Sequence, residues 1–162
     1  MGPAFEPHAA PVFERCQNII HHSLLMFQAW TQNPEMEEPD RAFLVVALDL
    51  LSGLTQGMGM ALEGLIQHSQ LFDLLVLCLR NSQAPVRQSA YALVGDMAIG
   101  CFPLLRPYIP SILAELEQQL DPDPKVEFIS ASNNAAWSVG EIALRFGEST
   151  SHRSVWNSRI RS

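Results

Sequence analysis

Three segments of this chain carry the same short phrase at an almost constant interval: Leu51-Ser52-Gly53-Leu54, Val94-Gly95-Asp96-Met97 and Val139-Gly140-Glu141-Ile142. Aligned on Ser52, Gly95 and Gly140, the copies are separated by 43 and 45 residues. Each copy sets a small residue among aliphatics inside a stretch of helical periodicity. An interval of that length holds two helices and their turns, so the chain is constrained to stack helical hairpins with the phrase on each second helix. The small residue would let a neighbouring helix approach closely, and the aliphatics beside it would pack into the adjoining hairpin.

The interval is that of HEAT or armadillo arrays, about 40 to 47 residues per unit. Apolar-periodic segments alternate with short breaks rich in Pro, Gly, Asn and Asp, and no alternating strand run bounded by hairpin turns is present. The chain therefore reads as all-α, a HEAT-repeat α-solenoid of about three hairpins. Its predicted helices are Val12 to Thr31, Arg41 to Gln56, Ala61 to Leu79, Pro85 to Cys101, Leu104 to Leu120 and Val126 to Phe146. Pro85 suits a first helical turn, where its missing donor would be unpaired anyway. The middle unit has the clearest HEAT wording, Ala84-Pro85-Val86-Arg87 followed by Ala90, Leu93 and Val94, and Arg87 reads as a structural rung between repeats. Residues 1–10 read as an N-terminal extension, 11–147 as repeats, and 148–162 as a divergent, disordered tail without repeat pattern. With no polar capping repeat at either end, the array reads as an excerpt whose end faces are exposed.

Charge and cysteine usage narrow the partners. All 17 acidic residues precede Ser149, whereas three of the ten basic ones, Arg153, Arg159 and Arg161, follow it. So acidic a body repels nucleic-acid phosphates and anionic lipid and attracts basic peptides. Cys16, Cys78 and Cys101 are odd in number and set in apolar helical patterns, which fits buried thiols in a reducing compartment. No secretion or myristoylation signal is visible at the N-terminus. The greasiest stretch, Ala42 to Leu54, is interrupted by Asp49 and falls short of the roughly 20 apolar residues a bilayer requires. These features predict a soluble intracellular protein that binds neither nucleic acid nor membrane.

The chain carries no HExxH, GxSxG or GxxxxGK[ST] phrase. His21, His22 and His68 lack ligand partners at metal-binding spacing and read as ordinary helical histidines. Gly57 and Gly59 read as helix-terminating glycines, since no strand precedes them and no Lys follows. Glu35, Glu37, Glu38 and Asp40 form a solvated acidic loop. No enzyme activity, cofactor or metal is expected.

Two constellations point to binding. Trp137 follows the polar run Ser130-Ala131-Ser132-Asn133-Asn134, and Asn133 stands four residues before it on the same helical face. An indole beside amides makes either an exposed recognition platform or an inter-repeat core filler, and the residues alone leave both open. Asp49, Asp96 and Glu141 fall near equivalent positions of the three second helices, which would line one wall as an acidic ladder for a basic peptide.

The phrases Val45-Val46-Ala47-Leu48-Asp49-Leu50-Leu51-Ser52-Gly53-Leu54, Pro85-Val86-Arg87-Gln88-Ser89, Glu127-Phe128-Ile129-Ser130 and Asn133-Asn134-Ala135-Ala136-Trp137-Ser138-Val139-Gly140-Glu141-Ile142 closely resemble the transportin or karyopherin beta-2 family. The resemblance runs from about Pro11 to Gly147. It implies a HEAT superhelix that imports cargo bearing a basic or hydrophobic proline-tyrosine nuclear localisation signal, moving between cytoplasm and nucleus, with the GTPase Ran and nucleoporins as further partners. This segment would be part of the C-terminal arch, without the repeats that grip Ran or the proline-tyrosine end of the signal. By the same resemblance Trp137 holds the N-terminal part of the signal, Asn133 and Asn134 are its polar neighbours, Asp49 and Asp96 are acidic groove residues, and Val45 and Gln88 are neighbouring contacts. Gln56 stands where the family has an acidic groove residue. Rival readings are a HEAT scaffold for protein complex assembly and a small helical enzyme.

Overall fold

The computed structural model describes residues 5–33 and 35–160, with side chains described as far as Gly147. Helix α1 (Glu6–Gln32) and α2 (Ala42–Met58) form the first hairpin. A 3-10 turn (Gly59–Leu62), α3 (Glu63–Gln67), α4 (Leu71–Leu79) and α5 (Ala84–Gly100) form the second. The third consists of α6 (Phe102–Leu105), a 3-10 turn (Arg106–Tyr108), α7 (Ile109–Gln119), a 3-10 turn (Val126–Phe128) and α8 (Ile129–Ile160). The described residues contain no strand. Helices α2, α5 and α8 lie side by side with α5 in the middle, and α1, α4 and α7 form a second layer behind them.

Burial explains this order. In α5 the side chains of Val86, Ala90, Leu93, Val94, Met97 and Ala98 are sealed completely, because the helix is flanked on both sides and covered from behind by α4. Leu44, Leu48, Leu51 and Leu54 of α2 join the same core, as do Phe13, Leu75 and Ile112 of the rear layer. All three cysteines are buried and free, and burial pushes the Cys78 thiol up to about 12 and Cys101 up to about 11. By length and composition Ala42–Gln67 could cross a membrane, farther than the stretch weighed above. In the fold it turns sharply at Gly59, whose φ of 51° favours glycine and where an added Cβ would stand 2.9 Å from the Gly100 carbonyl oxygen.

Four predicted segments differ from those observed. The helix expected from Ala61 to Leu79 breaks at Ser69, whose hydroxyl donates to the Ile66 carbonyl and accepts from the Leu71 amide, competing with the helical ladder. The helix expected from Leu104 begins at Phe102 and is divided because Pro107 and Pro110 lack amide donors and each sits in the first turn of a new segment. Helix α1 starts at Glu6, inside the expected extension, with Pro7 in its first turn and Ala9 buried in the core. The backbone of the divergent segment continues α8 to Ile160; it contains neither Pro nor Gly to stop a helix.

Exposure along α2 differs from that of its counterparts in the other second helices. Phe43, Val46 and Leu50 occupy the same register positions as Val86, Ser89 and Leu93 of α5 and as Ala131, Asn134 and Ser138 of α8. In α5 all three are buried, whereas Phe43 is 62% exposed and Val46 and Leu50 are also open.

Polar ties cross between units at the loops. Arg41 Nη1 donates to Gln83 Oε1 at 2.6 Å. Arg87 donates to the Asn81 and Ser82 carbonyls and to Gln119 Oε1 at 2.7, 3.0 and 2.9 Å, with its guanidinium 5.6 Å from the Phe128 ring centre. The second unit is thereby joined to both ends of the third unit's inter-helix loop. Arg87→Ala is expected to lower the unfolding free energy by about 2 kcal/mol in urea denaturation. Arg87→Lys should recover only a small part, because a single ammonium cannot replace the planar fork.

Candidate functional site

The repeat register places the candidate residues in rows across the second helices. Val45, Gln88 and Asn133 share one position; Asp49, Ala92 and Trp137 share the next turn; Gly53, Asp96 and Glu141 share the one after. Val45 is half-buried against the core, while Gln88, Asn133 and Asp49 are exposed. Trp137 is 39% exposed.

The indole of Trp137 lies on α5. A Cβ built on Gly95 would stand 2.2 Å from Trp137 Cζ3 and 2.7 Å from Cε3 and Cη2, so the six-membered ring covers that α-carbon. Gly95 therefore admits an aromatic ring and not, as the phrase suggested, a close backbone approach. At Gly140 an added Cβ would meet no atom within 4 Å. Two hydrogen bonds fix α8 on α5 in the turns of α5 that precede Gly95. Asn134 Nδ2 donates to the Gln88 carbonyl at 3.0 Å, and the buried Ser138 hydroxyl donates to the Tyr91 carbonyl at 2.5 Å. The two alternatives for Trp137 thus merge: part of its ring fills a seat between repeats and part stays open to solvent.

The acidic ladder is not a row of open charges. Asp96 is 5% exposed, and its Oδ1 accepts a 3.0 Å hydrogen bond from Gln56 Nε2 of α2. Burial raises the Asp96 carboxyl above its ordinary range, outweighing the opposing hydrogen bond from Gln56. Asp96 ties α2 to α5 and does not project into the groove. Glu141 is half-buried, 4.0 Å from Arg145 one turn along α8. Asp49 sits one turn before the shared Asp96 and Glu141 position, and it alone of the three is exposed.

Two contributors escaped the sequence reading. Ile99 and Leu144 occupy the register position of Gln56 and are 50% and 61% exposed, which extends the open apolar surface along the face that carries Trp137. The signal was present, since Leu144 lies seven residues after Trp137, two helical turns along one side. No group of three or more His, Cys, Asp or Glu among the described residues is placed to hold a metal ion. An open pocket lined by Arg80, Arg87, Tyr91, Glu115 and Gln119 has its cations engaged, Arg80 with Glu115 at 2.7 Å and Arg87 in the loop ties above. The second-helix face is the arrangement suited to binding: one anchored aromatic, exposed amides, adjoining aliphatics and a carboxylate at Asp49.

The raised carboxyl of Asp96 gives this face a pH signature. The fold disfavours the ionised form, so stability attached to the protonated carboxyl is fully present below the unfolded aspartate range and is lost as pH rises through the folded value. Asp96→Asn, which retains an oxygen for Gln56, is expected to be more stable than the unsubstituted chain at pH 7. Urea unfolding at stepped pH should show that advantage disappearing toward pH 3.

The chain is similar to several known proteins. Over 144 residues, 88% of its length, it is 40% identical to transportin-1 of Mus musculus, of which it covers 16%. It is 39% identical over 158 residues, 93% of the chain, to transportin-1 of Oryza sativa subsp. japonica, covering 17% of that protein. To importin subunit beta-2 of Schizosaccharomyces pombe it is 38% identical over 146 residues, 89% of the chain and 16% of the relative. The chain thus spans about one sixth of the length of the relatives it matches. No family model matches it.

Proposed function

We infer, from the premise that this chain is homologous to part of the transportins and importin beta-2 proteins, that its second-helix face binds nuclear localisation signals of cargo during import into the nucleus. The observation that carries this reading is the half-open, seated indole of Trp137. A recognition aromatic contributes most when it is rigid before the ligand arrives, because little side-chain entropy remains to be lost.

The ligand is an extended peptide segment with an apolar side chain for Trp137 and its aliphatic neighbours Ile99 and Leu144. Asn133 and Gln88 offer amides for peptide backbone groups. Asp49 supplies the charge for a basic residue, and the buried Asp96 serves by holding α2 and α5 together. A proline-tyrosine type signal, with a basic or hydrophobic N-terminal part, fits this order of groups. Ran and nucleoporins as further partners, and passage between cytoplasm and nucleus, belong to the same proposal.

The test is anisotropy titration of a labelled peptide carrying the N-terminal part of such a signal. Trp137→Ala is expected to weaken binding at least about 30-fold, the loss of a hot spot of roughly 2 kcal/mol. Asp49→Lys should weaken it at low salt, with the difference fading as ionic strength rises. Equal affinities for the unsubstituted chain and Trp137→Ala would reject the anchor role. Absence of binding by the unsubstituted chain would favour a scaffold for folded partners instead.

A further inference from the structure

We propose that Gly95 is a positioning residue for recognition, holding the indole of Trp137 from the neighbouring repeat without itself touching a ligand. This rests on the reading of Trp137 as the peptide anchor. Glycine inside a helix is unfavourable by roughly 0.5–1 kcal/mol relative to alanine, so its presence mid-way along α5 calls for a reason. Backbone conformation supplies none, because Gly95 is helical and Gly59 is the glycine with positive φ. Space does supply one: the three nearest atoms to an added Cβ all belong to the Trp137 ring, the closest at 2.2 Å.

A methyl group at that point must displace something. Helix α8 is held to α5 by the Asn134 and Ser138 hydrogen bonds to the Gln88 and Tyr91 carbonyls, in the turns of α5 before Gly95, which resists a sideways shift of the helix. The indole has 39% of its residue's surface open, so a ring displaced by the methyl has space on its solvent side. The outcome of Gly95→Ala is therefore a misplaced anchor on an intact array. The register gives a size rule in the same sense. Ser52, the counterpart of Gly95 one unit earlier, stands in a unit whose follower has Ala92 at the Trp137 position; the bare glycine coincides with the large ring.

Fluorine NMR on protein labelled with 5-fluorotryptophan tests the claim, with the Trp137 resonance assigned by its loss in Trp137→Ala. Gly95→Ala is expected to move that resonance, leave the other two tryptophan resonances and the far-UV circular dichroism unchanged, and weaken the peptide of the preceding section by about tenfold. In the Trp137→Ala background the same substitution should change affinity no further. An unmoved Trp137 resonance, or an equal affinity loss with and without the indole, would overturn the proposal. Should Gly95→Ala fail to fold, combining it with Trp137→Ala must restore folding; failure of that rescue would also overturn it. If the unsubstituted chain binds no peptide, the anchor reading fails, and the fluorine spectra still decide whether Gly95 positions the ring.

Discussion

The side-by-side packing of α2, α5 and α8 is the constraint on which the rest depends. Helix α5 has only a narrow solvent side, which carries Gln88 and Ile99, so its apolar residues extend around most of its circumference and most of its polar ones are spent on neighbours. Ser89 and Asp96 are buried, and the backbone carbonyls of Gln88 and Tyr91 accept side-chain donors from α8. A helix so enclosed must take small or well-paired residues wherever another element crosses it. Gly95 and Asp96, adjacent in sequence, answer the two sides. Gly95 yields space to α8, and Asp96 accepts a donor from α2.

Recognition and packing share side chains as a result. Trp137 contributes to the α5–α8 interface with the ring atoms that face Gly95, while its remaining surface looks outward. An indole held in this way is already in place when a ligand arrives, and an aromatic with only two side-chain torsions is easily fixed. The neighbouring polar groups divide the same way, Asn134 bonded to α5 and Asn133 left exposed.

Much of the architecture was legible because repetition is a strong signal. Three copies of a phrase at 43 and 45 residues define which helices are equivalent, and all second helices fall where that spacing places them. The first helices were less legible, since their breaks arise from local chemistry that periodicity ignores: a serine capping its own chain at Ser69, prolines reopening the helix at Pro107 and Pro110. At the site, the shared face of Asn133 and Trp137 was readable from a four-residue step, but the division of labour among the carboxylates was not. Asp96 and Asp49 look alike in sequence. Their register positions differ by one turn: Asp96 is buried where Gln56 of the adjoining helix donates to it, and Asp49 stays exposed.

The exposed row of Phe43, Val46 and Leu50 has a meaning beyond its own location. The second helices follow one register, although the side chains that meet at each junction differ. Length in such an architecture is a free parameter: whole units can be added or removed along the axis while every remaining junction keeps its geometry. A row such as Phe43, Val46 and Leu50 is the kind of apolar surface that a further unit in the same register would cover.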